Sequence, residues 1–319
     1  RLLDLPHDWA IEGDFYAQNP SGANGGALPG GIGWYRKHLA LHDSDAVSRY
    51  VLHFDGAYMN TSVYVNGTLL GTRPYGFISF SYDITPHLNK QGDNVVAVKV
   101  DNSRQPNSRW YTGCGVYRHV YLSKSTDVRV AEWGVQAISE VKKGVGLVTL
   151  NTQIENFSGR SRRVTVRQKL WNKARRLVMQ TSKTCDVAVS GTTVKQQMRV
   201  PKPQLWSPAS PNLYTLTTEI IENGRVLDGD TIRMGMRTVA FDAKQGFFLN
   251  GKNMKINGVC LHGDLGCLGA AINEDALYRQ VSMMKAMGAN AIRCSHNPPA
   301  PELLNLCDSL GMLVVDEAF

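Results

Sequence analysis

Short runs of alternating hydrophobic and polar residues, separated by turn signals, occupy the chain from about residue 33 to residue 122. Successive side chains of a β-strand point to opposite faces, so such runs predict strands with one buried face. The Asn66–Gly67 pair between two runs favours a tight hairpin, because both residue types tolerate positive φ. Many short strands without helices are typical of a β-sandwich, here of jelly-roll type. The runs are 34–39, 50–54, 62–65, 95–100 and 118–122.

A second all-β region extends from about residue 127 to residue 240. It contains about seven short strands in a little over 100 residues, which is typical of an immunoglobulin-like sandwich. Its clearest runs are 146–150, 164–170, 193–198 and 214–220.

The last part of the chain alternates between strand and helix patterns. We expect a buried strand at 255–261, and then a helix with Asn273 as N-cap and Gly288 as terminator. An apolar stripe at helical spacing predicts the buried face of that helix. The stripe consists of Leu277, Val281, Met284 and Met287.

The same alternation continues to the end of the sequence. A strand at 290–294 precedes a helix that we expect to begin at Asn297 and the prolines after it and to end at Gly311. A third strand follows at 312–316. Strand and helix in such close succession predict parallel β/α units.

Composition limits the class of protein. The chain has 319 residues, is 43% hydrophobic and carries a formal net charge of +8, which suits two or three globular domains. No apolar run approaches the roughly 20 residues of a transmembrane helix, so we expect no membrane partner. The densest positive clusters, at 160–163 and 175–176, lie near expected hairpin turns without aromatic neighbours. We therefore expect these clusters to be solvent-exposed surface, and nucleic-acid binding stays a distant alternative.

The six cysteines are scattered and form no C-x-x-C pair. This spacing argues against a disulfide framework or a zinc site and predicts buried free thiols. The cysteines are Cys114, Cys185, Cys260, Cys267, Cys294 and Cys307.

Polar side chains follow each of the three strands of the last region. In a β/α barrel the active site lies at the carboxyl ends of the strands, so these side chains are expected on one rim. They are His262 and Asp264, then Ser295, His296 and Asn297, then Asp316 and Glu317. His296 is the leading site candidate, with a structural histidine bridging two loops as the alternative. For Asn297 the alternative is a helix cap, and Arg293 is expected to pair with Asp316 or Glu317.

Several segments, in this order, resemble the family 2 glycoside hydrolases. The resemblance implies a jelly-roll sugar-binding domain at 1–124, an immunoglobulin-like sandwich at 125–240 and the first three strands of a (β/α)8 TIM barrel at 241–319. The segment 262–266 is similar to the β-galactosidase subgroup, although Gly263 stands where a second histidine is common. The segments that carry the resemblance are 5–9, 54–60, 63–67, 107–118, 203–208, 211–214, 248–252, 257–259, 293–298 and 314–318.

The resemblance also implies a chemistry. Retaining glycosidases use two carboxyls about 5–5.5 Å apart, and in this family both are glutamates on later barrel strands. No residue here matches their motifs, and Glu317 does not replace them. We therefore expect the sequence, which starts at a trimmed or processed Arg1, to be a truncated part that is inactive alone, without a metal or other cofactor. A divalent cation or Na⁺ would belong to the longer parent.

The substrate contacts implied by the resemblance form a half-site for a β-galactoside. His296 would hydrogen-bond sugar hydroxyls, and Trp110 would offer a flat apolar face to the ring. By the same resemblance Arg109 and Asp264 would shape the pocket wall, and the strand-end residues His262, Asn297 and Glu317 are the other substrate-binding candidates. A β-glucuronidase or β-mannosidase parent, or a non-catalytic carbohydrate-binding fragment, is the alternative. We expect a periplasmic or secreted protein, with the cytoplasm as the alternative, and leave a homo-oligomer open.

Overall fold

The computed structural model describes residues 1–42, 48–89 and 91–318. The chain divides into two compact units. The first unit joins Arg1–Lys124 with Gly258–Cys307 and the residues from Val314 onward, and the second joins Ser125–Asn257 with Asp308–Leu313.

Within its described residues, the first unit contains a sandwich of seven strands. These are β1 (Gly31–His42), β2 (Arg49–Phe54), β3 (Thr61–Val65), β4 (Thr68–Arg73), β5 (Phe80–Asp83), β6 (Gln91–Asn102) and β7 (Val120–Ser125). One sheet has the order β1-β6-β3-β4 and the other has the order β5-β2-β7. Alternate side chains such as Phe54, Val63 and Val100 are buried in one core, which is what the period-2 pattern predicts.

The hairpin expected at Asn66–Gly67 is confirmed. Strands β3 and β4 pair antiparallel, and Val65 and Thr68 are the last partners before the turn. Asn66 has φ 49° and Gly67 has φ 84°, so both turn residues lie in the left-handed region that a two-residue hairpin with native twist requires.

The second unit contains an immunoglobulin-like sandwich. Its strands are β8 (Val128–Lys142), β9 (Val145–Asn156), β10 (Arg162–Trp171), β11 (Leu177–Val187), β12 (Thr192–Pro201), β13 (Tyr214–Glu222) and β14 (Arg225–Met234). The two sheets have the orders β11-β10-β13-β14 and β12-β9-β8. Leu150, Leu170 and Leu216 are fully buried in their common core. A small sheet follows, made of β15 (Val239–Asp242), β16 (Gly246–Leu249) and β17 (Lys252–Asn253).

Two arginines of the basic cluster at residues 160–163 form ion pairs with neighbouring strands of the same sheet. Arg162 binds the carboxylate of Glu222 on β13, with 2.7 Å from its Nε to Oε1. Arg163 lies 3.4 Å from the carboxylate of Asp186 on β11. Two of the guanidinium groups in this cluster therefore have carboxylate partners on adjacent strands.

The β/α segment consists of β18 (Gly258–Leu261), α1 (Glu274–Ala286), β19 (Ala291–Cys294), α2 (Pro301–Leu310) and β20 (Leu313–Val315). Strands β18 and β19 pair in parallel, and the sheet order is β18-β19-β20. This succession matches the start of a β/α barrel, and the expected fold class is confirmed. The strand expected to be buried at 255–261 is shorter and more exposed than predicted, because β19 alone pairs with it in the described sheet.

Helix α1 begins as the sequence predicts. The side chain of Asn273 accepts a hydrogen bond of 2.9 Å from the backbone N–H of Ala276, which satisfies one of the free N–H groups of the first turn. Leu277 and Val281 are buried, but Met287 is 70% exposed because it lies past the last helical residue. The apolar stripe is therefore buried only in its first half.

Helix α2 does not begin at Asn297, so the cap interpretation of that residue was wrong. The helix starts at Pro301. Proline lacks the N–H group that helix propagation needs and disfavours helical backbone in the residue before it. The prolines Pro298 and Pro299 therefore keep the segment out of the helix, while Pro301 occupies the first helical position, where proline is tolerated.

The β/α segment of the first unit packs against the jelly roll through buried polar contacts. The backbone N–H of Ile272 donates to the carbonyl of Tyr117 at 2.9 Å. The guanidinium of Arg118, which is 4% exposed, donates to the carbonyls of Phe77 at 2.9 Å and Pro298 at 2.7 Å. These bonds hold the segment that carries His296 at a defined distance from the jelly-roll loops.

The cysteines are all free thiols, as expected, but they are not all buried. Cys114, Cys294 and Cys307 are buried, whereas Cys260 and Cys267 are exposed. The exposure of Cys260 follows from the exposed strand β18 on which it lies. Among the described residues, none of the helices has the length and apolar character needed to span a bilayer.

Candidate functional site

Three aromatic rings meet at the carboxyl ends of β18 and β19 in the first unit. The Trp110 ring centroid lies 5.3 Å from that of His296 and 6.3 Å from that of His262. The two histidine rings are 5.8 Å apart, edge to face. The structure therefore brings together one residue of the jelly-roll loop and two residues of the β/α segment, all of which the sequence singled out.

Local chain geometry explains this meeting. His262 follows the last residue of β18, and His296 lies two residues beyond β19. Parallel strands end at the same edge, so the side chains that follow them become neighbours. Trp110 lies on the long loop between β6 and β7. Its backbone N–H donates to Ser108 Oγ at 3.3 Å, and within the described chain its buried indole Nε1 has no hydrogen-bond partner.

An ion-paired cluster lies beside these rings. Arg293 Nε donates to Glu317 Oε1 at 2.6 Å, and His296 Nδ1 lies 2.9 Å from Glu317 Oε2. The same Nδ1 is 3.3 Å from an Arg293 nitrogen, so the shorter contact with the carboxylate assigns the Nδ1 proton to a bond with Glu317. The sequence left Asp316 and Glu317 open as partners of Arg293, and the structure identifies Glu317.

The charges around Glu317 lower its pKa. Partial desolvation of the carboxyl acts in the raising direction, but the hydrogen bonds from His296 and Arg293 outweigh it and hold the pKa below its ordinary value. A carboxyl with a depressed folded-state pKa adds stability above its unfolded pKa of about 4.3 and loses it as pH falls through the folded value.

We predict that Glu317 titrates at a lower pH than an unperturbed glutamate. In the Arg293→Gln variant its pKa should rise towards the ordinary value, because one of the two charge-assisted hydrogen bonds is lost. The carboxyl carbon shift of selectively labelled Glu317, followed against pH, measures both values. Arg279→Gln, on the exposed face of α1, is the matched control and should leave the titration unchanged. If Glu317 titrates with the same midpoint in wild type, Arg293→Gln and Arg279→Gln, the proposed hydrogen bond from Arg293 to Glu317 is contradicted.

Asn297 is buried and lines a cavity that His262 also lines. It is 7% exposed, and its amide Nδ2 has no hydrogen-bond partner within the described part of the chain. It lines a cavity of about 40 Å³ together with His262, Tyr111 and Arg118. An unpaired buried amide costs free energy, so this group is suited to hydrogen-bond a hydroxyl or a water molecule that enters the cavity.

Two of the expected site residues lie at the margin. Arg109 is exposed on the loop before Trp110. Asp264 is also exposed, and its backbone carbonyl accepts from Gln280 at 3.3 Å. Burial and the charge of Asp8 raise the pKa of Tyr111, and the Asp264 carboxylate contributes a smaller part. Asp264 thus lies near the Tyr111 hydroxyl, which the sequence did not single out.

The sequence also missed the buried polar groups that support the site. Asp8 is 1% exposed and accepts hydrogen bonds from the backbone N–H groups of Ala10, Cys114 and Ala270, at 3.1, 2.9 and 2.9 Å, and from the Tyr111 hydroxyl. The only signal in the sequence was the position of this carboxylate between His7 and Trp9. Its partners are distant in sequence and gave no pattern.

Three family models match the chain in order. Residues 31–131 match the galactose-binding domain-like model of glycosyl hydrolase 2. Residues 128–237 match the model of glycosyl hydrolases family 2, and residues 241–319 match the TIM barrel domain model of the same family.

Individual relatives agree with these matches. The β-galactosidase BoGH2A of Bacteroides ovatus is 52% identical over 100% of this chain and 38% of its own length. A β-glucuronidase of Bacteroides fragilis is 27% identical over 98% of this chain and 46% of its own. The crystal structure of a glycosyl hydrolase family 2 member from Bacteroides cellulosilyticus superposes with a TM-score of 0.97 at 36% identity, covering 100% of this chain and 42% of that one. The chain thus spans less than half the length of these relatives, and it belongs to glycoside hydrolase family 2.

Proposed function

We propose that the protein containing this chain is a retaining β-glycosidase that releases terminal β-D-galactosyl groups. The observation that carries the proposal is the ring cluster of Trp110, His262 and His296 at the strand ends, beside the Arg293–Glu317 pair. An aromatic face with adjacent hydrogen-bonding groups suits a pyranose ring, which has apolar faces and a polar rim. The 52% identity to a β-galactosidase supports galactose as the sugar.

In this proposal His296 positions and polarises the sugar. With its Nδ1 proton donated to Glu317, the imidazole keeps a fixed orientation and leaves Nε2 free to bond a sugar hydroxyl. Such a bond can strengthen as positive charge develops on the ring in the oxocarbenium-like transition state. Glu317 would act through His296, as a positioning residue, because both of its oxygens are engaged by Arg293 and His296.

The bond-breaking step would need two carboxyls about 5–5.5 Å apart, one as acid/base and one as nucleophile. Neither role is assigned to a residue of this chain, because Glu317 is already paired and Asp264 lies outside the cluster. The residues described here would bind and orient the substrate, and Trp110 would exclude water from one face of the sugar.

A β-glucuronidase is the second candidate, since the relatives include β-glucuronidases. A glucuronide carries a carboxylate that needs a cationic partner. Arg293 is already occupied by Glu317, and Arg109 is exposed at the margin of the site. The favoured galactoside needs no such cation, because its sixth carbon bears a neutral hydroxyl.

The proposal predicts the outcome of a substrate panel. The complete protein should hydrolyse 4-nitrophenyl β-D-galactoside with a higher kcat/KM than the matching β-glucuronide or β-mannoside, and ¹H NMR should show the β-anomer as the first product. The α-galactoside is the control and should not be cleaved. A higher kcat/KM for the glucuronide would contradict the galactoside assignment. If the folded protein is inactive on every glycoside, the glycosidase proposal is overturned.

A further inference from the structure

A second cluster of ligand-type side chains lies in the first unit, apart from the ring cluster. One ligand atom each from His119, Glu274 and Glu302 lies within 4.8 Å of the others. His119 precedes β7, Glu274 is the first residue of α1 and Glu302 is the second residue of α2. His119 Nε2 is 3.6 Å from Glu302 Oε1. Three separate elements of one unit therefore direct an imidazole and two carboxylates to one point.

Glu302 is the unusual member of this group. It is 8% exposed, although it lies in the first turn of a helix, and its Oε2 has no hydrogen-bond partner among the residues that the structure describes. A buried carboxylate oxygen without a partner is costly, and buried charges are usually paired or coordinate metals.

The ordinary explanation, a His119–Glu302 ion pair, accounts for only part of this arrangement. It engages Oε1 and leaves Oε2 unsatisfied. The neighbouring Arg118 makes no hydrogen bond to Glu302 among the described residues. Its two terminal nitrogens donate to the backbone carbonyls of Asp55, Phe77 and Pro298, and its buried Nε has no partner within the described part of the chain. The carboxylate of Asp55, which binds His53 at 2.9 Å, adds further negative charge nearby.

We propose that His119, Glu274 and Glu302 bind one divalent transition-metal ion, Zn²⁺ or Mn²⁺. Imidazole nitrogen is a good ligand for Zn²⁺ and other divalent first-row transition metals, and carboxylates bind both Zn²⁺ and Mn²⁺. Ca²⁺ prefers six to eight oxygen ligands and is less suited to a site with an imidazole. Ligand bonds of about 2.0–2.2 Å place neighbouring ligand atoms about 3–3.6 Å apart, so small side-chain movements would complete the site.

The proposed ion has a structural role. It ties the start of β7 to the first turns of α1 and α2, and α2 follows directly on the proline segment after His296. None of its three ligands belongs to the ring cluster, so this site does not depend on the proposed glycosidase activity. The sequence predicted no metal in this chain and did not single out this grouping, because the three residues are far apart along the chain and form no ligand motif.

The test is metal binding by the complete protein after treatment with a chelator. Titration calorimetry with ZnCl₂, MnCl₂, CaCl₂ and MgCl₂, together with elemental analysis, gives the affinity and stoichiometry. We expect Zn²⁺ or Mn²⁺ to bind more tightly than Ca²⁺ or Mg²⁺. In Glu302→Gln and His119→Gln, the protein should bind one equivalent fewer, or bind that equivalent at least about tenfold more weakly.

Two further variants make the result decisive. Glu274→Gln changes an exposed carboxylate, so it keeps the fold and should weaken binding even if the buried substitutions impair folding. His38→Gln removes an exposed histidine that is paired with Asp93, and as the control it should leave the stoichiometry unchanged. Equal binding by wild type and Glu274→Gln would overturn the site, and so would loss of the same equivalent in His38→Gln. Binding of Ca²⁺ or Mg²⁺ alone would overturn the transition-metal assignment.

Discussion

Replacement of Asp8 by alanine should lower the free energy of unfolding by about 3–5 kcal/mol, a loss comparable to that from breaking a buried charged network. The Asp8 carboxylate accepts from three backbone N–H groups and the Tyr111 hydroxyl. Truncation leaves these donors buried without an acceptor, and each unsatisfied group costs about 1–3 kcal/mol. Removal of the carboxylate also opens a polar cavity.

The bonds to Asp8 connect three parts of the first unit. Ala10 lies in the N-terminal segment, Cys114 in the loop that carries Trp110, and Ala270 in the β/α segment after β18. Loss of the carboxylate should therefore loosen the attachment of the β/α segment to the jelly roll, in addition to lowering stability.

Chemical denaturation followed by tryptophan fluorescence measures the effect. Asp8→Asn is an informative second variant, since it keeps the size of the side chain but presents an NH₂ group to the surrounding donors. Asp4→Ala, in the same segment but exposed, is the matched control and should change stability by less than about 0.5 kcal/mol. A denaturation midpoint of Asp8→Ala that equals the wild-type midpoint within error would contradict the prediction. It would show that the four donors find other hydrogen-bond partners.

Replacement of His296 by alanine should lower the turnover of the complete enzyme by at least about tenfold, in the range that single polar contacts to a transition state supply. In the proposed function the physical reason is the orientation of the imidazole, because Glu317 holds Nδ1 and Nε2 would bond the sugar. The effect should fall mainly on kcat, because the proposed bond to the sugar would strengthen in the transition state.

Stability should be nearly unaffected by this substitution. The His296 side chain is 35% exposed, so its removal leaves no large cavity. Steady-state kinetics on an aryl β-galactoside, with a thermal melt of the same sample, separate the two effects. His87→Ala serves as the control. His87 belongs to the jelly roll and is distant from His296 in the sequence, so this variant should retain wild-type kinetics. Unchanged kcat and KM in His296→Ala would reject the role, and a large loss of stability would point to the structural alternative.

Part of the candidate site could be predicted from the pattern of residues along the chain. The rule that parallel strands end at a common edge was enough to bring His262, His296 and Glu317 into one hypothesis. The resemblance added Trp110, which no periodicity argument could connect to those strand ends. Whether these residues bind sugar stays a prediction.

The support of the site could not be predicted in the same way. Asp8 and Arg118 are buried charged residues whose partners are mostly backbone groups of distant loops. Backbone N–H and C=O groups have no identity in a sequence, so the number that converges on a given side chain is invisible until the chain is folded. The cluster of His119, Glu274 and Glu302 was missed for a related reason, because its ligands come from three elements that only packing brings together.

The sequence by itself determined the features that depend on neighbouring residues: two β-sandwiches followed by parallel β/α units, the Asn66–Gly67 hairpin, the Asn273 cap and the family. Those features follow from backbone preferences and side-chain periodicity, which act over a few residues. Tertiary structure alone decided that Arg293 pairs with Glu317 rather than Asp316, that Asn297 faces a cavity rather than capping α2, and that Asp8 joins three segments. These outcomes depend on which groups meet in space. Buried polar groups form hydrogen bonds, and the folded chain decides which partners lie within hydrogen-bond distance.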